Sequence, residues 1–171
     1  GKWYWWWDNT GLGATNDLNG HGTHVAGTVF GDGNSDQRLM GMEPAVGRDG
    51  NARVFIGRYL DASGNATGDP GWLYSAFANS PGGRKPAVVN NSWSADTQGS
   101  QWSGTEVIAR QIDGFVHATD QTYCYAAGND ASGGTSGGVG SPGSAKNVLT
   151  VGSVDVFPDA NGRSGSRSGF S

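Results

Sequence analysis

The 171-residue sequence lacks several features that would have pointed to common classes of protein. It has one cysteine, which excludes an internal disulfide. No apolar run approaches the roughly 20 residues needed to cross a bilayer, so we expect no membrane partner. Lys and Arg number 11 against 15 acidic residues, for a net charge of −4. With this net negative charge we expect no nucleic-acid partner, because the protein has no excess of positive charge to attract the phosphates.

Composition and patterning favour a loop-rich α/β protein. Hydrophobic residues make up only 35% of the sequence, and 31 residues are glycine. Apolar runs at residues 53–60, 87–91, 122–127 and 148–154 predict buried strands. Helical stretches separate these runs, and such alternation is typical of parallel sheets. We predict one three-layer α/β domain over residues 1–171, with a mainly parallel sheet covered by helices on both faces.

Local signals add detail to this outline. The Trp-rich opening predicts a strand or packed segment whose rings need a partner surface. The single cysteine, Cys124, lies in a predicted strand and is expected to be a small core residue, not a nucleophile. His117 is expected at the surface. Three helix starts are predicted, one at His21, one at Asp69 with Pro70 in first position, and one at a capping box of Ser103 and Glu106.

One stretch places a histidine, whose side chain titrates near neutral pH, directly after residues that favour a turn. Residues 21–28 read His-Gly-Thr-His-Val-Ala-Gly-Thr, preceded by the turn residues Asn19 and Gly20. This pattern places His21 where a loop becomes a helix, and an imidazole there suits a general base. A metal pair of His21 and His24 is the alternative, but only His117 remains as a third imidazole and the glutamate of a zinc protease motif is absent.

Residues 21–28 resemble the histidine motif of the subtilisin-like serine proteases. Three further stretches resemble that family in its own order along the chain, and the resemblance extends from about residue 16 to residue 171. They are residues 88–93 (Val-Val-Asn-Asn-Ser-Trp), 126–130 (Ala-Ala-Gly-Asn-Asp) and 141–152. The last is close to a branch of secreted alkaline subtilases.

The resemblance implies a subtilisin-like domain and a role for individual residues. It makes His21 the catalytic base and leaves His24 as a helix residue packed beneath the site. Asn129 becomes the side-chain amide that meets the oxyanion, although an asparagine after glycine is also ordinary turn chemistry.

The resemblance also implies a peptide-binding cleft with two walls. One wall is formed by Ser92, Trp93 and Ser94, and the other by Ala126, Ala127 and Gly128. The family usually has glycine where this chain has Ser94, so the pocket width and substrate preference are open. Trp93 is either a subsite wall or a core residue.

Two parts of a serine protease triad are not found. No motif of the Gly-Thr-Ser-Met-Ala type occurs, and residues 166–171 resemble the segment that precedes it in the family. Asp8 lies too near His21 to be the triad acid, and Asp17 is interpreted as a polar turn residue beside the site. We therefore expect a partial peptidase domain, incomplete at both ends and inactive in isolation.

The expected activity of the full-length protein is serine endopeptidase hydrolysis of protein or peptide substrates outside the cell. The chemistry requires no cofactor. A structural calcium ion is compatible with the family, but no site is assigned: oxygen side chains recur along residues 61–69, yet Trp72 stands where an EF-hand needs glutamate. The competing hypotheses are a pseudoprotease that binds peptides without cutting them, and missing segments supplied by a second polypeptide. Exposed sheet edges predict that the isolated chain aggregates or pairs.

Overall fold

The computed structural model describes residues 3–8, 10–11, 13, 16–46, 53–94, 102–129 and 138–154. The chain divides into two compact units, Gly1–Pro86 and Ala87–Ser171. Each unit contains parallel strands and α-helices, so the α/β class is confirmed. No helix within the described ranges is long and apolar enough to cross a membrane.

The first unit is built on a pair of parallel strands. Strand β1 (Trp3–Asp8) pairs with β2 (Val54–Arg58), with Asp8 opposite Arg58. Helix α1 (His21–Phe30) and helix α2 (Pro70–Ala78) complete the unit with two short 3₁₀ turns, Gln37–Leu39 and Pro81–Gly83. Helix α1 ends at Phe30, and its C-cap is Gly31.

The aromatic opening finds its partner surface inside this unit. The ring of Trp5 meets Phe55 and Phe77 edge to face, with ring centroids 6.3 and 6.4 Å apart. Buried aromatic pairs of this geometry add to the free energy gained from burying their area. The predicted start of α2 is confirmed as well, since the Asp69 carboxylate accepts from Gly71 N at 2.8 Å.

The second unit contains a three-stranded parallel sheet. Strand β4 (Thr122–Ala126) lies between β3 (Val88–Asn91) and β5 (Leu149–Val151), and helix α3 (Val107–Thr119) precedes β4 in the chain. The core of the unit is close-packed around fully buried side chains of β4 and α3, namely Tyr123, Tyr125, Ala109 and Ile112. His117 is exposed, as expected, and Cys124 is half-buried in β4.

The prediction that the strands are buried on both faces is wrong in part. Val89 of β3 is 6% exposed, whereas its neighbour Val88 is 60% exposed. Leu149 and Val151 are also exposed, whereas Cys124 and Ala126 on the same face are half-buried, so the described residues cover this face only in part. Apolar runs cannot distinguish a strand buried on both faces from one that is half-covered.

The third helix starts later than its capping box predicts. The carboxylate of Glu106 accepts from Ser103 N at 2.6 Å, so the two predicted residues do interact. However, Glu106 itself is the N-cap, and α3 begins at Val107. Gly104 has a φ of +74°, which is not helical, and this left-handed residue delays the helix.

Candidate active site

The N-terminus of α1 is held by a side chain outside the helix. Its N-cap residue, Gly20, has a φ of 90° and no side chain that could accept a hydrogen bond. Asp17 supplies the missing acceptor: Oδ1 accepts from Gly20 N at 2.8 Å and from Asn19 N at 3.1 Å. Its Oδ2 accepts from Thr23 N at 2.7 Å and from Thr23 Oγ1 at 2.8 Å.

These contacts fix the charge state of Asp17. Burial alone would raise the pKa of this carboxyl group, but the hydrogen bonds from Gly20, Thr23 and Asn19 outweigh that effect and lower the pKa to about 2. The group is therefore an ionised acceptor at neutral pH, and a negative charge is favourable at a helix N-terminus. Sequence reasoning identified Asp17 as a turn residue but missed its capping role. The available signal was the position of Asp17, six residues before Thr23 in the first turn of α1.

Asn19 anchors the same turn from the other side. Its Oδ1 accepts from His21 N at 3.3 Å, and its Nδ2 donates to the carbonyl of Ala62 at 3.3 Å. The backbone of His21 is thereby linked to the loop that follows β2. Two side chains, from Asp17 and Asn19, hold the residues on both sides of His21 in place.

His21 is the first residue of α1, as predicted, and it is exposed. The expectation that His24 packs beneath the site is wrong: His24 is exposed too, because α1 buries none of its residues. Within the described residues, no group of three or more His, Cys, Asp or Glu side chains is arranged to hold a metal ion. The imidazole of His21 is accessible for proton transfer.

The predicted substrate-binding segments lie at neighbouring strand ends in the second unit. Strands β3 and β4 are parallel and pair Asn91 with Tyr125, so both end at the same edge of the sheet. Ser92 to Ser94 continue β3, and Ala127 to Asn129 continue β4. Ligands of open parallel sheets bind beyond such carboxyl ends. Gly128 has a φ of 106°, and the side chain of the next residue, Asn129, is exposed.

Local hydrogen bonds order the segment predicted to form the first wall. Ser92 Oγ accepts from Asn90 Nδ2 at 3.0 Å. The indole of Trp93 donates to Asn91 Oδ1 at 3.3 Å and meets the ring of Tyr125 edge to face at 5.7 Å. Trp93 is therefore half-buried against the core of this unit, and a role for it as a subsite wall stays a prediction.

The two predicted walls approach each other at Ser94 and Gly128, next to Gly140, which sequence reasoning missed. A β-carbon added at Gly128 would lie 3.8 Å from Ser94 Oγ, and one added at Gly140 would lie 3.0 Å from Ser94 Cβ. Gly140 N also donates to the carbonyl of Ala127 at 2.8 Å. Glycines at positions 138, 140 and 143 were the available signal for this close approach of backbones. The structure thus brings Ser94 close to Gly128 and Gly140, and Gly140 is hydrogen-bonded to Ala127.

Two acidic residues of the first unit have their oxygens occupied by local turns. Asp8 accepts from Thr10 N, Thr10 Oγ1 and Gly13 N at 2.9, 2.5 and 2.8 Å. Asp61 accepts from Ser63 N and Asn65 N, each at 2.9 Å. Both are turn-stabilising carboxylates. The triad acid stays unassigned, and residues 166–171 lie outside the described residues.

The fold and these residues define an α/β protein with an exposed histidine at a helix N-terminus and an asparagine just beyond a parallel strand. A sequence model of the Subtilase family matches residues 3–171. The chain belongs to the subtilase family, and the resemblance noted in its sequence is confirmed.

Individual relatives agree with this assignment. Subtilisin DY of Bacillus licheniformis is 31% identical over 139 residues, which cover 81% of this chain and 44% of the relative. A thermophilic serine proteinase of Bacillus sp. (strain AK1) is 31% identical over 82% of this chain and 30% of its own length. Subtilisin amylosacchariticus of Bacillus subtilis subsp. amylosacchariticus is 29% identical over 81% of this chain and 32% of its own length. The chain therefore spans less than half the length of these relatives.

Proposed function

We propose that this chain supplies part of the catalytic domain of a serine endopeptidase, with His21 as the general base and Asn129 as an oxyanion donor. The observation that carries the proposal is the position of His21 at the first residue of α1, on backbone held by Asp17 and Asn19. A base must keep its geometry while a proton is transferred twice, and a hydrogen-bonded turn provides that rigidity. Membership of the subtilase family supports the reaction class.

In the proposed reaction, a serine hydroxyl attacks the carbonyl carbon of the scissile peptide bond, and His21 takes its proton. The carbonyl oxygen becomes negatively charged, and the Asn129 side-chain N–H stabilises it together with a backbone N–H. His21 then gives the proton to the leaving amine, and water releases the acyl group by the reverse sequence. A carboxylate that orients the imidazole completes the triad.

The proposed substrates are extended segments of proteins or peptides. Such a segment would add alongside Ser92 to Ser94 as an extra strand, through main-chain hydrogen bonds. The side chain before the cleaved bond would lie near Ala126, Ala127 and Gly128. No cofactor takes part in the chemistry, and calcium would have a structural role alone. Action outside the cell belongs to the same proposal and is supported by family membership.

The 171-residue chain by itself is proposed to be inactive. Its sequence contains no Gly-Thr-Ser-Met-Ala motif, because Gly-Thr-Ser at 134–136 is followed by Gly-Gly. A histidine base without its serine cannot form an acyl intermediate. The remaining segments of the same protease are therefore its proposed partner. A fluorophosphonate probe, which reacts with activated serines, should leave the isolated chain unlabelled.

The test uses the full-length protein and an unstructured protein substrate such as casein. Cleavage that a fluorophosphonate abolishes is the expected result. The same preparation binding casein without cutting it would instead establish the peptide-binding pseudoprotease. Cleavage that persists after complete fluorophosphonate labelling would contradict a serine mechanism.

A further inference from the structure

An asparagine followed by a glycine stands directly before His21. The sequence contains such a pair at 19–20 and at 161–162, and the structure describes only the first. Glycine has no β-carbon, so the side-chain carbon of Asn19 can approach the backbone nitrogen of Gly20 without obstruction. Both residues are exposed, and a β-carbon added at Gly20 would meet nothing within 4 Å. Water therefore has free access to this pair.

Two long hydrogen bonds hold the side chain of Asn19. Its Oδ1 accepts from His21 N and its Nδ2 donates to the carbonyl of Ala62, each at 3.3 Å. These distances exceed the usual range of about 2.7–3.2 Å, so both bonds are weak. The amide group of Asn19 can therefore rotate at small cost and turn its carbon toward the nitrogen of Gly20.

The N–H of Gly20 is held more firmly than the side chain of Asn19. It donates to Asp17 Oδ1 at 2.8 Å, and this carboxylate is ionised at neutral pH. Gly20 N must lose its proton before it can act as a nucleophile. The resulting nitrogen anion would face the negative charge of Asp17 at hydrogen-bond distance, and like charges so close repel each other. The carboxylate thus opposes a reaction for which the exposed pair is otherwise suited.

We propose that Asn19 is a site of spontaneous deamidation, with Gly20 N as the nucleophile, and that the hydrogen bond from Gly20 N to Asp17 limits the rate. Gly20 N bonds to Asn19 Cγ to form a succinimide ring. The bond from Cγ to Nδ2 breaks, and the leaving nitrogen takes up the proton lost from Gly20 N and departs as ammonia. Water then opens the ring at either carbonyl, which gives aspartate or isoaspartate. The reaction consumes water and needs no oxidant or cofactor.

Either product changes the contacts beside His21. Both lose the donor to the Ala62 carbonyl and gain a negative charge. Isoaspartate also inserts an additional methylene into the backbone before Gly20, which is the N-cap of α1. The modification would therefore release the turn at His21 from the loop that follows β2. It does not depend on the proposed function, because it needs no catalytic group of the protein.

The test follows isoaspartate at residue 19 in the full-length protein at mildly alkaline pH, by isoaspartyl methyltransferase labelling and tandem mass spectrometry. Prior fluorophosphonate treatment prevents self-digestion. Residue 19 should gain isoaspartate, and it should do so more slowly in the folded protein than in urea, where the bond to Asp17 is absent. Asp17→Asn should speed the reaction in the folded protein about 10-fold, which corresponds to about 1.4 kcal/mol of barrier.

Two controls separate the hydrogen bond from general loosening of the turn. Thr23→Val removes the hydroxyl that donates to Asp17 Oδ2 but leaves the bond from Gly20 N to Oδ1, so it should change the rate little. Asn65, which is also exposed but is followed by Ala66, should react at the same rate in Asp17→Asn as in the unchanged protein.

Three outcomes would overturn the proposal. The first is the absence of isoaspartate at residue 19 in both the unchanged protein and Asp17→Asn, which would remove the modification site. The second is a folded-state rate equal to or above that in urea, and the third is equal acceleration in Asp17→Asn and Thr23→Val. Either of these would show that the hydrogen bond from Gly20 does not limit the reaction. The peptide map decides between these outcomes whether or not the full-length protein cleaves casein.

Discussion

The two units hold their proposed functional residues in different ways. In the first unit, His21 stands at the end of a helix with no buried residue, and its position depends on hydrogen bonds to Asp17 and Asn19. In the second unit, Asn129 follows a strand whose tyrosines are fully buried. Polar contacts position one residue, and apolar packing positions the other.

This difference has a physical consequence for each residue. Hydrogen bonds to a carboxylate depend on its ionisation, so the geometry around His21 is sensitive to acid. Burial of Tyr123 and Tyr125 against α3 does not involve a charge that titrates near neutrality. Burial raises the pKa of Tyr123 to about 12. The strand ends should therefore keep their geometry over a wider range of pH than the helix start.

The largest expected effect concerns His21, the proposed base. His21→Ala in the full-length protease should lower kcat by about 10⁶-fold, a magnitude measured for the catalytic histidine of a subtilisin. His24→Ala is the matched control, since this second imidazole on α1 is exposed and outside the proposed machinery; it should leave kcat within a few-fold. Equal losses in the two variants would contradict the assignment of the base, as would no loss in either.

The role of apolar packing in the second unit can be tested by a substitution that creates a cavity there. Ile112→Ala removes a side chain with 0% exposure and should cost about 2–5 kcal/mol of unfolding free energy. Val107→Ala on the same helix, where the side chain is 66% exposed, should cost less than about 0.5 kcal/mol. Urea unfolding measures both. Similar losses in the two variants would mean that apolar packing of α3 does not support the strand ends.

The proposed oxyanion donor, Asn129, should show a purely kinetic effect. Asn129→Ala in the full-length enzyme should lower kcat about 10²–10³-fold with little change in KM, a range taken from the oxyanion asparagine of a well-studied subtilisin. The side chain is exposed, so its removal should leave the melting temperature unchanged. A rise in KM at constant kcat would instead assign Asn129 to ground-state binding.

The smallest expected effect tests the acid sensitivity of the helix start. The folded-state pKa of Asp17 is lowered from 3.8 to about 2, so its stabilisation is complete above about pH 4 and is lost as the pH falls through 2. Asp17→Asn should remove that pH dependence and cost about 0.5 kcal/mol at neutral pH, the low end for a cap because the residue is exposed. The measurement is urea unfolding between pH 2 and 7.

A charge-matched control separates the cap from general electrostatics. Glu43→Gln removes one exposed negative charge elsewhere in the first unit. It should leave the pH dependence between 2 and 4 in place. If Asp17→Asn and Glu43→Gln behave alike, the hydrogen bonds to Gly20 and Thr23 do not stabilise the helix start.

Sequence reasoning recovered the features that depend on neighbouring residues. The helix start at His21, the Asp69 cap of α2 and a strand at 122–127, observed as Thr122–Ala126, follow from local patterns. The family follows from motifs that occur in its order along the chain. It failed where the outcome depends on distant residues. The exposure of His24 and Val88 depends on whether residues distant in the chain pack against α1 and β3. The approach of Gly140 to Ser94 joins segments 46 residues apart in the chain, which no local pattern could predict.

The central claim is that this chain contributes the base, but not the nucleophile, of a serine protease. The most direct measurement is peptide mapping of the full-length protein after fluorophosphonate labelling, with and without His21→Ala. We expect the label on one serine outside these 171 residues, and almost none in the His21→Ala variant. Label on a serine within the chain, or labelling at an unchanged rate without the imidazole, would contradict the claim.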